Sequence, residues 1–250
     1  MKRLTCHSRT LGFTLVELLV VIAIISILAA MLLTGISTAK IKAQKTRARI
    51  EIGQIVNAIN KYEAQYNHFP IARAALNSAA ANNDDFTYGG TFQTPANWPY
   101  DVKASGAYTT NNSEVMAVLL DLEYFNNLPT INSGHVLNTQ KTKLLDAIMT
   151  SDVNAPGVGP DGVYRDPWGN PYVITIDANN DEKARDAFYQ RPAVSRGGLN
   201  GLIRRTLPNG SFVFEANFPA MVWSAGPDKK IDQTTPANQG VNKDNILSWK

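Results

Sequence analysis

A single carboxylate, Glu17, lies inside FTLVELLVVIAIISILAAMLL, an apolar run over residues 13–33. Holding a charged carboxylate in hydrocarbon costs about 2.5–3.5 kcal/mol on insertion scales. Glu17 therefore needs either a positive partner or a place near the membrane interface from which it reaches water. Few other side chains could do chemistry. His68 stands beside Phe69 and Pro70 at the end of a helical pattern, and His135 sits in a Ser-Gly turn; both contexts suit structural histidines. Neither a G-x-S-x-G elbow nor an H-E-x-x-H pair occurs, so the sequence offers no support for hydrolase or zinc-protease chemistry. GVGPDG at 157–162 fits G-x-G-x-x-G, but Pro156 precedes it, Pro160 interrupts it and YRDPWG follows, where a dinucleotide site needs a strand and then a helix. It is read as a turn. DANND at 177–181 opens like a calcium loop, yet Glu182 takes the place of the required Gly and Phe188 that of the closing Glu. A strand-to-strand turn is expected there. Trp98, Tyr100 and Tyr108 are placed in the core rather than on a sugar-binding face.

The elements that carry these residues follow from periodicity. The apolar run, at 1.5 Å per residue, makes a helix of about 31 Å, enough to cross a bilayer core. It is too long and too directly continued for a removed secretory signal and is read as a retained anchor. Lys2, Arg3 and Arg9 in front of it place the N-terminus in the cytoplasm and everything after the anchor outside. Ile52, Ile55, Val56, Ile59, Tyr62 and Tyr66 continue at three- and four-residue spacing as one amphipathic helix, which Pro70 closes. Gly35 and Gly53 are candidate points of flexure. Residues 71–110 read as long loops with short strands at most. Ser113 is expected to cap a helix carrying Val115, Met116, Val118, Leu119 and Leu122, and a second helix is expected over 142–149. Strands are expected at 171–176, 211–217 and 220–223. The fold class is α+β: a long N-terminal helix, transmembrane and then amphipathic, packed on a small antiparallel sheet, with long loop-rich insertions.

Charge and cysteine content exclude some functions. Lys and Arg number 24 against 21 Asp and Glu. Removing residues 1–12, with Lys2, Arg3 and Arg9, leaves 21 of each. Such a chain has no global basic field to attract nucleic acid. The single cysteine, Cys6, lies in the same segment, so the remainder forms no disulfide.

From Gly12 onward, GFTLVELLVVIAIISILAAM resembles the leader junction and first helix of type IV pilins and type II secretion pseudopilins. The match comprises a short basic leader ending in Gly12, then Phe13, then Glu17 as the fifth residue after the junction. The resemblance implies that a membrane prepilin peptidase cuts between Gly12 and Phe13 and that Phe13 is N-methylated. It also supplies the partner Glu17 needs, the positive Phe13 amine of a neighbouring subunit, which would set the axial stagger of a fibre. A glutamate that merely reaches water from the interface is the alternative. Thr34 stands where many members carry a kinking proline.

DPWGNPY at 166–172, WSAGPD at 223–228 and DNILSW at 244–249 are similar to segments of the major pseudopilin of type II secretion, whose last loop binds calcium. Calcium takes six to eight oxygens. The resemblance implies ligands from Asp228, Asp232 and Asp244, with Ser248 and the carbonyl of Ala225 behind them. Lys229 and Lys230 sit in the same loop, and Asn245 replaces the usual second acidic residue. The alternative is a metal-free polar loop closed by Trp223 and Trp249. Residues 71–164 and 177–219 have no counterpart in the compact pseudopilin core.

The expected organisation is a cleaved leader at 1–12, a transmembrane segment at 13–34, an amphipathic continuation at 35–69 and a periplasmic pseudopilin-like domain at 70–250. The implied function is that of a non-enzymatic fibre subunit of a type II secretion-like system. Its partners would be further copies in a helical homo-oligomer, prepilin peptidase, other pseudopilins, an inner-membrane assembly platform and membrane lipid. Nucleic acid is not among them. A surface-pilus subunit is the second reading, and a membrane-anchored binding or adhesion module using 71–164 is the third.

Overall fold

Leucine, isoleucine, alanine and valine without a proline favour helix from residue 15 onward, and α1 runs unbroken over Leu15–Tyr66, 52 residues. The computed structural model describes residues 13–250, so the leader, Cys6 and Gly12 lie outside the described residues. Residues 13–43 and 44–250 form two separate units. In the first, α1 exposes its apolar side chains, among them Leu15, Leu19, Ile25 and Met31. It is the one described helix long and apolar enough to cross a membrane. Gly53 does not interrupt α1. The helix ends at Tyr66, three residues short of the expected boundary, because Asn67 adopts a left-handed φ of 59° and its N–H caps the Glu63 carbonyl at 2.7 Å.

In the second unit α1 buries Ile52, Ile55, Ile59 and Tyr62 of the stripe its spacing predicts, and Ala48 besides, while Val56 and Tyr66 are only half-buried. Along the chain follow α2 (Arg73–Asn82), β1 (Phe86–Tyr88), β2 (Gly90–Gln93), β3 (Pro99–Val102), α3 (Ser113–Leu119), β4 (Tyr124–Phe125), β5 (Leu128–Pro129), β6 (Gly157–Val158), β7 (Tyr164–Arg165) and β8 (Val173–Ile176). Then come α4 (Pro192–Ser195), β9 (Ile203–Thr206), β10 (Phe212–Glu215), β11 (Ala220–Ser224) and β12 (Ile246–Leu247). The central sheet is antiparallel, in the order β1-β8-β11-β12. β2–β3, β4–β5, β6–β7 and β9–β10 are hairpins beside it. Of GVGPDG, Gly157 and Val158 form β6 itself, and the residues from Gly159 to Gly162 turn the chain toward β7.

Both faces of the sheet are buried. Ile174, Ile176 and Val222 join α1, α2 and α3 in one core, while Val173, Met221 and Trp223 face a second core with Phe188, Tyr189, Val194 and Leu202. Alternate residues of each strand thus enter different cores, as the pleat requires. The 177–219 insertion supplies the second cover, which explains why β8 and β11 are buried at every position. Its turn is ordered by Asp177, whose carboxylate accepts N–H bonds from Asn179, Asn180, Asp181 and Glu182.

Several expectations are corrected. Residues 71–110 are not mainly loop: Ala75 and Ala79 of α2 and Phe86 and Tyr88 of β1 are core residues, small or aromatic side chains whose role depends on tertiary contacts. Ser113 is the first residue of α3, not its cap; Asn112 holds that position. The 142–149 segment is not helical. A segment this short has little intrinsic helix stability, and the Leu144 and Leu145 N–H groups instead cap the Leu119 carbonyl at the end of α3. Trp98 is not core but 72% exposed.

One buried carboxylate predicts a pH effect. Asp85, 4% exposed, accepts the N–H groups of Ala178 and Arg185, fastening the 177–185 turn to β1. Burial first, then the neighbouring Asp177 and Asp84 carboxylates, push its pKa up to about 7 against those hydrogen bonds; Arg185 pairs with Asp84. The folded state therefore holds a proton that the unfolded chain releases near pH 4, so this group's contribution falls as pH rises from 4 through 7. Asp85→Asn lacks this titration. Thermal unfolding across pH 4–8 should show the variant gaining on the wild type with rising pH, by at most about 4 kcal/mol at 1.36 kcal/mol per pKa unit. Parallel stability curves would contradict it.

Candidate functional site

At the start of α1, Phe13 is 79% exposed and Thr14 stands one residue before the helix. The Thr14 N–H and hydroxyl both donate to Glu17 Oε2, at 2.8 and 2.7 Å, and the Glu17 N–H donates back to Thr14 Oγ1 at 3.2 Å. This reciprocal pair is a capping box. It satisfies N–H groups that the first turn of a helix cannot pair internally, and it aims a carboxylate at the positive end of the helix dipole. The T-x-x-E spacing at 14–17 carried that signal in the sequence, where only the isolated charge drew notice. A carboxylate has about four acceptor positions, so the box leaves capacity for a cation.

At the other end of the chain, the segments DPWGNPY and WSAGPD form one buried network. Asp166 Oδ2 accepts from the Ser224 hydroxyl at 2.5 Å and from Asn170 Nδ2 at 2.9 Å, and Asn170 Nδ2 also donates to the Gly226 carbonyl at 3.0 Å. Gly226 takes a positive φ of 73°, and a Cβ there would lie 2.6 Å from the Asp244 carbonyl oxygen. The network thereby fixes the approach of the loop's two ends. Sequence reading did not place Asp166 here.

The five residues expected around calcium do not form one ligand set. Among the described residues no group of three or more His, Cys, Asp or Glu side chains is placed to hold a metal ion. Asp232 is occupied by Thr234 and Thr235, whose hydroxyls donate to its two oxygens at 2.7 Å each. Ser248 pairs with β11: its N–H donates to the Val222 carbonyl at 2.9 Å and its hydroxyl oxygen accepts the Val222 N–H at 3.1 Å. Ala225 is buried. Asp228 and Asp244 remain as a pair. Burial raises the pKa of Asp244, the Asp228 charge raises it further, and the Lys45 ammonium opposes both. Asp228 is likewise raised by burial, against Lys230 and Lys45. The loop is also closed by aromatic packing, since Tyr189 stands edge-on to both Trp223 and Trp249, with centroids 5.3 and 5.1 Å away.

The two described histidines do not join either place. His68 lies 5.5 Å from the Tyr62 ring, and His135 bridges Asp121 at 2.8 Å and Glu123 at 3.1 Å.

A capped apolar helix that continues into an α+β domain closed by a C-terminal loop defines a pilin-like protein. The prokaryotic N-terminal methylation motif matches residues 7–33. The type II secretion system core protein G of Aeromonas hydrophila is 30% identical over 110 residues, covering 40% of this chain and 77% of that protein. The Escherichia coli protein of the same name is 37% identical over 67 residues, covering 27% of this chain and 46% of its own. The type IV wide pilus major component PilA4 of Thermus thermophilus is 34% identical over 96 residues, 38% of this chain and 66% of that protein. The chain thus spans less than two thirds of the last two relatives' lengths. No solved structure matches. The chain belongs to the pilin-like family of the type II secretion core protein G.

Proposed function

We propose that the chain is a structural fibre subunit, a pseudopilin, of a type II secretion-like system. It acts by assembly and not by catalysis. Prepilin peptidase cuts after Gly12, Phe13 is methylated, and the subunit waits in the inner membrane with its 44–250 unit in the periplasm. The platform then draws it into a fibre with further copies and other pseudopilins. The observation that carries this reading is α1 itself, apolar and exposed over 15–31, capped by the one carboxylate of that stretch, then amphipathic where it enters the core. The pilus component of Thermus among the relatives favours a surface pilus as the second reading.

Intact-mass measurement of the membrane-extracted protein should give a chain beginning at N-methylated Phe13. A chain retaining Met1, or one cut after Ala30, would overturn the proposal.

Calcium belongs here in a narrower form, at the Asp228–Asp244 pair, with Asp232 and Ser248 outside the ligand set. Two carboxylates and the carbonyls of a glycine-bearing loop suit a hard cation, which would neutralise a repulsion that Lys45 only partly offsets. Binding to the folded state alone adds about 2.7 kcal/mol at a hundredfold excess over the dissociation constant. The protein should melt higher in calcium than in chelator, and Asp228→Ala should remove the difference. A calcium-independent melting temperature would leave Lys45 and Lys230 as the counter-charges of the pair.

A further inference from the structure

Between Glu17 and Glu51 the chain carries no acidic residue, and residues 40–49 hold five cations: Lys40, Lys42, Lys45, Arg47 and Arg49. Two of these are engaged in the fold: Arg47 pairs with Glu51 at 2.8 Å, and Lys45 offsets the charges of Asp228 and Asp244. Lys40, Lys42 and Arg49 are exposed and, among the described residues, have no carboxylate partner. All three stand on α1, which continues without a break from the apolar run that ends at Leu33. At about 1.5 Å per residue, Lys40 and Lys42 lie about 10 and about 14 Å beyond Leu33 along the helix, and Arg49 about 24 Å.

Those distances sort the three cations. The polar layer on each side of a bilayer's hydrocarbon core is about 5–8 Å deep. Surface charge is felt over roughly a further 8 Å at physiological salt. Lys40 and Lys42 fall inside that range, and their long stems let each ammonium reach back toward the phosphates. Arg49 falls outside it. A second copy lying alongside at the same depth supplies no counter-charge, because residues 18–50 hold no carboxylate. The membrane surface, by contrast, is held within reach by the chain itself. We propose that Lys40 and Lys42 bind the phosphate groups of anionic phospholipids at the end of the membrane anchor. The contact rests on the anchor reading of residues 13–33 and is independent of fibre formation. An ammonium is a point charge on a flexible stem, which suits headgroups that exchange better than a fixed fork would. The pair adds a salt-dependent hold on the bilayer that a subunit gives up when it leaves the membrane.

The full-length protein would be floated with phosphatidylcholine vesicles. In neutral detergent it would then be titrated with phosphatidylglycerol or with phosphatidylcholine, and lipid occupancy read by native mass spectrometry. It should float with the vesicles and should bind phosphatidylglycerol about fivefold or more tightly than phosphatidylcholine, the effect of one cation near an anionic surface. The preference should weaken as salt is raised. The double variant Lys40→Gln, Lys42→Gln should lose it, whereas Arg49→Gln, which removes an exposed cation farther along the same helix, should keep it. Both lysines are exposed and lie outside the 44–250 unit, so the double variant should keep the wild-type melting temperature. Equal affinity for the two lipids, a preference that survives in the double variant, or an equal loss in Arg49→Gln would each overturn the assignment. A wild-type protein that stays behind when the vesicles float would overturn the anchor reading, and the lipid contact with it. One that floats without discriminating between the lipids overturns the lipid contact alone.

Discussion

Glu17→Ala is expected to leave the protein in the membrane and to abolish the fibre. Removing a charge from the apolar stretch eases insertion by about 2.5–3.5 kcal/mol, so membrane levels should hold. Removing the carboxylate also deletes the group that would neutralise the Phe13 amine of a neighbouring subunit, and crosslinked ladders should disappear. Alanine alone is an ambiguous test, because it also breaks the capping box with Thr14, worth about 0.5–2 kcal/mol. Two further variants separate the roles. Glutamine closes a capping box as glutamate does but carries no charge, so Glu17→Gln should fail to assemble like alanine. Thr14→Val removes the cap and keeps the charge, so it should assemble with at most a modest loss. If Glu17→Gln gives ladders at wild-type intensity, the carboxylate serves the helix start and not the contact between subunits.

How far the sequence could be read depended on the range of the interactions involved. The stripe from Ile52 to Tyr66 was legible because a helix face is set by local spacing, and β8 and β11 because apolar runs bounded by Pro, Asn and Gly mark strands. α2 was not legible: RAALNSAAAN has weak amphipathic contrast, and it buries only Ala75 and Ala79. The 142–149 segment misled in the opposite sense. Its Leu144, Leu145 and Ile148 have helical spacing, but the unpaired carbonyl at the end of α3 takes two of its N–H groups. The N-terminal site was readable in type and spacing, although the capping box hid behind the louder oddity of a charge in an apolar run. At the C-terminus the sequence showed aspartates in a glycine-bearing loop and could not show their directions. Asp232 is turned to its own Thr234 and Thr235, a contact of two and three residues' reach, while Asp166 reaches Ser224 across 58 positions.

Trp223→Ala is expected to cost about 3–5 kcal/mol, the usual range for a buried large aromatic. Trp223 is fully buried, stacks on Phe92 with centroids 5.7 Å apart, and joins Phe188 and Tyr189 in the core that the 177–219 insertion closes over the sheet. Its indole N–H also donates at 3.0 Å to Asp186 Oδ2. That carboxylate is buried and accepts from the Thr175 hydroxyl and the Phe188 and Tyr189 N–H groups as well. Burial raises its pKa and the four donors oppose that rise, so a lost donor costs beyond the cavity. At about 2–4 °C per kcal/mol for a chain of this size, the melting midpoint should fall by roughly 10 °C. Trp223→Phe keeps a six-membered aromatic ring but loses the N–H and the rest of the five-membered ring, and should cost about 1–3 kcal/mol. In an Asp186→Asn background that second cost should shrink, a coupling measurable as a double-mutant cycle. A cost of Trp223→Phe that is the same in the Asp186→Asn background would mean that the indole bond adds nothing to stability. In cells the Trp223→Ala chain should be depleted before it can assemble, whereas Glu17→Ala should accumulate unassembled, so protein level separates a failure of the core from a failure of the fibre contact.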